Sequence, residues 1–225
     1  MNRRSVASLV VMVIILSGFC STNVEAELAD QMRLKNAISI DRGEATIITF
    51  TQESRFSSFT LLNDHYLAAY MLAVTYALPS SYYSTFGFRR QDTEFEAFTS
   101  HENRVYMQGG RKQQLAERLR LDARGRIEYR RFREPILDDY FRFRIRFKLV
   151  VDARIAGAKL KPFISDELFA DDRAGSREFL KRSRVIAGLT AAIGEHAGFT
   201  VSYMMDNDRH TRPLTALIAG IQIKM

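Results

Sequence analysis

The chain has 225 residues, with 33 Lys or Arg against 26 Asp or Glu, for a formal charge of +7 and a pI near 9.7. That length allows a single domain with an ordinary core. One cysteine, Cys20, excludes a disulfide framework and any zinc site built from cysteines.

The first segment reads as an export signal. Arg3 and Arg4 precede an apolar run from Val6 to about Cys20, and Val24 and Ala26 put small residues at the −3 and −1 places of a cleavage site. We expect residues 1–26 to be removed and 27–225 to form the mature domain, without cysteine. The competing reading is a membrane anchor, since a span needs about 17 apolar residues or more. Phe19 before Cys20 excludes a lipoprotein site.

Period-two alternation then dominates, over 31–41, 45–55, 66–76, 82–92, 102–109, 115–132, 139–153, 159–170, 180–193, 197–206 and 214–225. Short breaks fall at 41–44, 77–81, 155–158 and 194–197, where Gly194 reads as a turn residue, as does the pair Gly109–Gly110. Longer polar joints fall at 55–65, 93–101, 133–139, 171–179 and 206–213. Short turns alternating with long loops are expected of an antiparallel up-and-down transmembrane β-barrel. The prolines, at 79, 135, 162 and 213, sit near joints or strand starts, as pairing requires. Single-chain bacterial barrels have even strand numbers. We therefore expect ten strands, with 31–41 as a plug or periplasmic segment, or twelve if the long run 115–132 is two strands.

The alternation separates charge from apolar side chains. In "FRFRIRFKLVV", Phe141, Phe143, Ile145, Phe147 and Leu149 share one parity, and Arg142, Arg144, Arg146 and Lys148 the other. Arg118, Arg120, Asp122, Arg124, Arg126, Glu128 and Arg130 oppose Leu119, Leu121, Ile127 and Tyr129; Arg182 and Arg184 oppose Val185 and Leu189; Glu167 opposes Ile164 and Leu168. In a soluble sandwich the charges would face water. In a barrel they face the lumen, because a cation on the lipid face costs roughly 2–4 kcal/mol near the midplane. The expected lumen network is Arg118, Arg120, Arg126, Glu128, Arg130, Arg142, Arg144, Arg146, Lys148, Glu167, Arg182 and Arg184. Glu117, Asp122 and Asp166 are further acceptors. Such an interior either fills the barrel or lines a narrow path favouring anions. Nucleic-acid binding is not expected, since stacking platforms need aromatics and cations on one face.

The chain ends "TALIAGIQIKM", a period-two strand with Gly220, Ile223 and a terminal apolar Met225. These three residues form a candidate barrel-assembly signal, although an aromatic is usual in the last place. Alternatively, Met225 closes a soluble core. The expected partners are outer-membrane lipids, with the barrel-assembly machinery and periplasmic chaperones during biogenesis.

The ordered segments "ENRVYMQ" (102–108), "RLRLDARGRIEYR" (118–130), "RFRIRF" (142–147), "PFISDELF" (162–169), "RSRVIAGL" (182–189) and "GFTVSY" (198–203) resemble an uncharacterised family of bacterial outer-membrane barrels, the domain of unknown function twenty-four-ninety. Ser183 and Ser202 depart from its pattern. The resemblance implies an outer-membrane barrel and brings no established activity.

No catalytic set, cofactor or metal site is assigned. His65, His101 and His210 fall near the longer loops and His196 in a short turn. Ser100, His101 and Glu102 are consecutive, so as a strand they cannot form a triad by themselves. The alternative to a structural or weakly conducting barrel is a lipid-modifying enzyme using residues from separate strands. The Asp-rich stretches near 138, 171 and 206 lack EF-hand spacing. Tyr82, Tyr83, Tyr106, Tyr129, Tyr140 and Tyr203 fit interfacial girdles or ordinary strand positions.

Overall fold

Alternating apolar and polar side chains leave no stripe for a helix to bury, and the chain forms strands almost throughout. The computed structural model describes residues 30–43, 45–57, 65–95, 97–134, 137–155, 158–172, 182–208 and 213–225. The expected signal segment, 1–26, and His210 lie outside the described residues.

The strands are β1 (Gln31–Arg42), β2 (Thr46–Phe56), β3 (His65–Ala77), β4 (Tyr82–Glu94), β5 (Thr99–Ala116), β6 (Leu119–Phe132), β7 (Tyr140–Val151), β8 (Ala153–Ile155), β9 (Ala158–Asp171), β10 (Arg182–Ile193), β11 (Ala197–Asp208) and β12 (Leu214–Lys224). Each consecutive pair is antiparallel, except that β8 only extends the β7–β9 hairpin. The sheet closes where β1 pairs β12 in parallel, from Gln31↔Ala216 to Ser39↔Lys224. The barrel therefore has eleven staves.

This corrects the expected ten or twelve. Residues 31–41 are neither plug nor periplasmic segment but the first stave. Even numbering would let the first and last strands meet antiparallel; here the odd count makes that meeting parallel. The run 115–132 is also not two transmembrane strands. It contains the end of β5, a two-residue turn at Glu117–Arg118, and β6. That turn lacks Gly and Pro and so was silent in the alternation.

One rim carries the short turns and Met225; the other carries the long connections and the start of β1. At the short-turn rim Gly43 and Gly194 take left-handed backbone angles, as do Ser80 and Ser81 in a 3-10 turn, Pro79–Ser81. Gly109 and Gly110, expected in a turn, lie within β5. Gly110 faces inward against the Tyr83 ring, where a Cβ would come within 2.5 Å of Tyr83 Cζ. At the seam, a Cβ on Gly220 would lie 2.3 Å from the Lys35 carbonyl oxygen. The last residue continues the seam through its backbone: Met225 N–H donates to Ser39 O at 2.8 Å, and Asp41 N–H to Met225 O at 3.0 Å.

Outward faces are mainly apolar around the barrel, with polar exceptions that include Asn36, Gln52 and Arg90. Leu72, Phe86, Met107, Ile145, Phe147 and Ile221 are all about half exposed or more. An uncovered apolar surface of this extent marks a membrane or protein contact.

Candidate functional site

The inward parity of each stave brings charge to the lumen. Arg120, Arg126, Glu128, Arg130, Arg142, Arg144, Arg146, Lys148, Glu167, Arg182 and Arg184 all point inward. Arg118 does not. It sits exposed in the β5–β6 turn, where the strand alternation ends. Glu117 shares that turn. Asp166 also departs from the expected acceptor set: β9 presents Ser165 and Glu167 inward, so Asp166 is exposed on the outer face, between Phe147 and Val185.

Glu128 is the centre of the network and has no exposed surface. Its carboxylate lies 2.9 Å from Arg144 Nη2, 3.2 Å from Arg126 Nη1, 3.3 Å from Arg104 Nη1 and 3.5 Å from Arg130 Nε. Glu102 joins the same cluster through Arg104 at 2.8 Å and Arg130 at 3.3 Å. Glu167 receives Arg124 at 2.8 Å, Arg144 at 3.5 Å and Arg184 at 3.7 Å. Around the wall, Glu53 holds Arg55 at 2.6 Å and Arg89 at 3.0 Å, and Asp122 holds Arg146 at 3.2 Å. Asp206 binds Arg184 at 2.7 Å and also Arg182; Asp171 accepts from Arg142 Nη2 at 2.7 Å. Charge-assisted bonds shared among several strands tie the staves together and offset part of the desolvation cost of burying charge.

Aromatic rings fill the space between guanidiniums. Phe169, only 1% exposed, has the guanidinium carbons of Arg144, Arg184, Arg182 and Arg142 at 4.8, 4.9, 5.6 and 5.7 Å from its centroid. Arg126 lies 4.1 Å over Tyr106. Tyr83, Tyr106 and Tyr140 thus serve the interior rather than a girdle, while Tyr82 and Tyr203 face outward. Parity explains the split: on β4 and β5 the inward positions are odd and even respectively.

Cations outnumber acceptors. A cavity of about 490 Å³ occupies the lumen, and fourteen Lys or Arg but two carboxylates, Glu53 and Glu167, line it among the described residues. Buried Nε atoms of Arg33, Arg89, Arg120, Arg124, Arg144 and Arg146 have no acceptor among the described residues. Toward the short-turn rim the lining changes to hydroxyls, in the cross-strand pairs Ser39–Thr49, Thr75–Thr85 and Thr190–Thr200 at 3.1, 2.9 and 3.0 Å. Arg33, Lys35, Glu53, Arg55, Arg89 and Arg104 were absent from the expected set. The pattern "RLK" at 33–35 and "ESR" at 53–55 carried the signal, which setting β1 aside as a plug obscured.

The three described histidines do not gather. His65 packs edge-on against Phe56 at 5.4 Å, and His196 sits in a turn. His101 Nδ1 lies 2.8 Å from Asp92 Oδ1 on the outer face near the long-loop rim. Ser100 and Glu102 point the other way and are buried; Ser100 Oγ donates to Glu134 Oε2 at 3.3 Å. The Asp-rich stretches have internal partners. Asp139 accepts from Tyr129 OH at 2.8 Å and Phe132 N–H at 2.9 Å, and Asp172 accepts from Phe141 N–H at 2.6 Å. Among the described residues no three His, Cys, Asp or Glu side chains gather as a metal site.

A search of curated proteins found no match. Among solved structures the chain is similar to the β domain of the Bordetella autotransporter Brka, at 16% identity over 76% of this chain and 78% of that one, with a TM-score of 0.43. It is also similar to LpxR from Salmonella typhimurium, at 9% identity over 80% of this chain and 83% of that one, with a TM-score of 0.51. At such identities the second likeness speaks for the fold alone, a closed barrel similar to outer-membrane barrels. A family model described as a protein of unknown function matches residues 19–214, most of the sequence, and the chain belongs to that family, DUF2490.

Proposed function

We propose that the chain is an outer-membrane protein without enzymatic activity, a structural barrel with a narrow lumen that passes anions weakly. It is exported by cleavage after Ala26, delivered by periplasmic chaperones and inserted by the barrel-assembly machinery, for which Gly220, Ile223 and Met225 form the terminal signal. Its outward belt meets lipid, and it binds no nucleic acid. One observation carries the lumen reading: the cation excess around the central cavity. Carboxylates buried behind the guanidiniums hold the wall together, while the surface facing the cavity stays positive and repels cations.

Planar-bilayer recording of refolded protein in a salt gradient tests this reading. A small conductance with a reversal potential toward that of chloride is expected. Cation selectivity, or no conductance at all, sinks the anion path.

The His101–Asp92 pair supports a second reading, an enzyme acting on lipid from the outer face, with His101 as base and Asp92 orienting it. Among the described residues no Ser or Thr hydroxyl is hydrogen-bonded to the ring, so the nucleophile is missing. Release of fatty acid from lipid A by the wild type, lost in His101→Ala, would favour this reading over the first.

A further inference from the structure

Two lysines in the lumen stand apart from the ion-pair network. Lys35 projects from β1 and is exposed to the cavity; Lys148 projects from β7. With β8 outside the ring, β1 and β7 lie almost diametrically opposite among eleven staves. The two ammonium groups therefore approach one space from opposite walls. Among the described residues neither has a carboxylate within ion-pair distance. Lys148 Nζ instead rests 3.7 Å over the Phe163 ring, which steadies a cation without neutralising it.

Each lysine has neighbours with donors to spare. On the β6–β7 side Arg124 and Arg146 line the same cavity, and on β1 so does Arg33. The nearby carboxylates are committed, Asp122 to Arg146 and Tyr83, and Glu53 to Arg55 and Arg89. Converging ammonium and guanidinium donors, in excess over the carboxylates Glu53 and Glu167 that line the same cavity among the described residues, match an anion that accepts hydrogen bonds on several sides. A phosphate-class oxyanion spreads a higher charge over four oxygens and so spans more of these donors than the smaller, singly charged chloride.

We propose that the lumen binds a multivalent oxyanion of the phosphate class between Lys35 and the wall formed by Arg124, Arg146 and Lys148. This deepens the reading of the lumen as anion-favouring and rests on it. A bound phosphate would compensate the opposed lysines and cross-link the two sides of the barrel.

Calorimetric titration of refolded full-length protein in detergent tests the site, using inorganic phosphate with chloride at matched ionic strength. Saturable phosphate binding is expected, weakened about tenfold or more in Lys35→Gln/Lys148→Gln, as for losing hydrogen bonds to charge. The single substitution Lys35→Gln serves if the double one does not give the heat-modifiable gel band of a folded barrel, and it too must weaken binding. Phosphate behaving like chloride, or binding undiminished in either folded variant, overturns the proposal. Glucose 1-phosphate distinguishes the source: tighter binding than inorganic phosphate assigns the site to phosphate esters, and weaker binding assigns it to the free ion. Bilayer selectivity of the same preparation separates the two readings. A cation-selective barrel that binds phosphate overturns only the anion path, and an anion-selective barrel that ignores phosphate overturns only this site.

Discussion

Glu128 Oε1 lies 2.9 Å from Arg144 Nη2 on the adjacent stave, and three further guanidiniums reach the same fully buried carboxylate. Removing its charge leaves four buried cations facing one another. Glu128→Gln keeps the volume and deletes the charge, and it is expected to destabilise the barrel by about 3–5 kcal/mol, the usual cost of breaking a buried pair. Urea unfolding of the refolded protein, followed by heat-modifiable gel mobility, measures this. An unchanged midpoint would show that the cluster contributes little to closure.

The β1–β12 seam depends on a missing side chain. A methyl group at Gly220 would sit 2.3 Å from the Lys35 carbonyl oxygen, on backbone that cannot move without breaking the parallel ladder. Gly220→Ala is expected to cost about 1–3 kcal/mol, as overpacking does. Gly125→Ala is the control, since a Cβ there meets nothing within 4 Å. Equal unfolding midpoints for the two variants would remove the packing account of Gly220.

Asp166 is the charged residue in the mainly apolar outer belt of β7, β9 and β10, flanked by Phe147 and Val185 on the neighbouring staves. If that face meets acyl chains, Asp166→Leu should stabilise the protein in lipid vesicles by about 1–2 kcal/mol, less than the figure for a cation at midplane. A loss of stability in the same urea titration would mean that water or a partner covers Asp166 instead.

Glu134, in the β6–β7 connection, accepts the His101 backbone N–H at 3.0 Å and the Ser100 hydroxyl. Desolvation pushes its pKa up, but these hydrogen bonds outweigh it and hold the carboxyl below the ordinary value of 4.5. A depressed carboxylate pKa stabilises the docked loop above the ordinary value and loses that contribution as pH falls through the lowered one. Protection of the His101 amide, measured against its intrinsic exchange rate, should therefore hold near neutral pH and fall below about pH 4.5, and Glu134→Gln should flatten that dependence. Exchange that is insensitive to pH beyond the intrinsic chemistry would refute the cap.

Alternation made most of this fold legible. Eleven period-two runs fall on the eleven staves, and the inward faces of β6, β7, β9 and β10 follow from them, although 31–41 was expected to be a plug or periplasmic segment. Three things did not follow. The Glu117–Arg118 turn carries no Gly or Pro and hides in a basic run. The parity of Asp166 shows only when β9 is phased by Glu167, since the two acids are adjacent and must face opposite sides. Above all, pairing partners depend on register. That Glu128 gathers cations from β5, β6 and β7 together requires knowing which residues lie level, and one stretch of sequence cannot supply that.

The odd stave count has a topological consequence. In a barrel whose end strands are antiparallel, the chain starts and finishes at the same rim, and a few residues could join the two ends. Here Gln31 and Met225 sit at opposite rims, separated by a tilted strand of twelve residues, roughly 30 Å. A circular permutant would need its linker to run through the lumen or outside the wall, crossing the full height of the barrel. The closing pair also has no hairpin to guide it. The pair joins strands separated by nearly the whole described chain, the longest loop to close in the fold, and contacts at the seam itself hold its register.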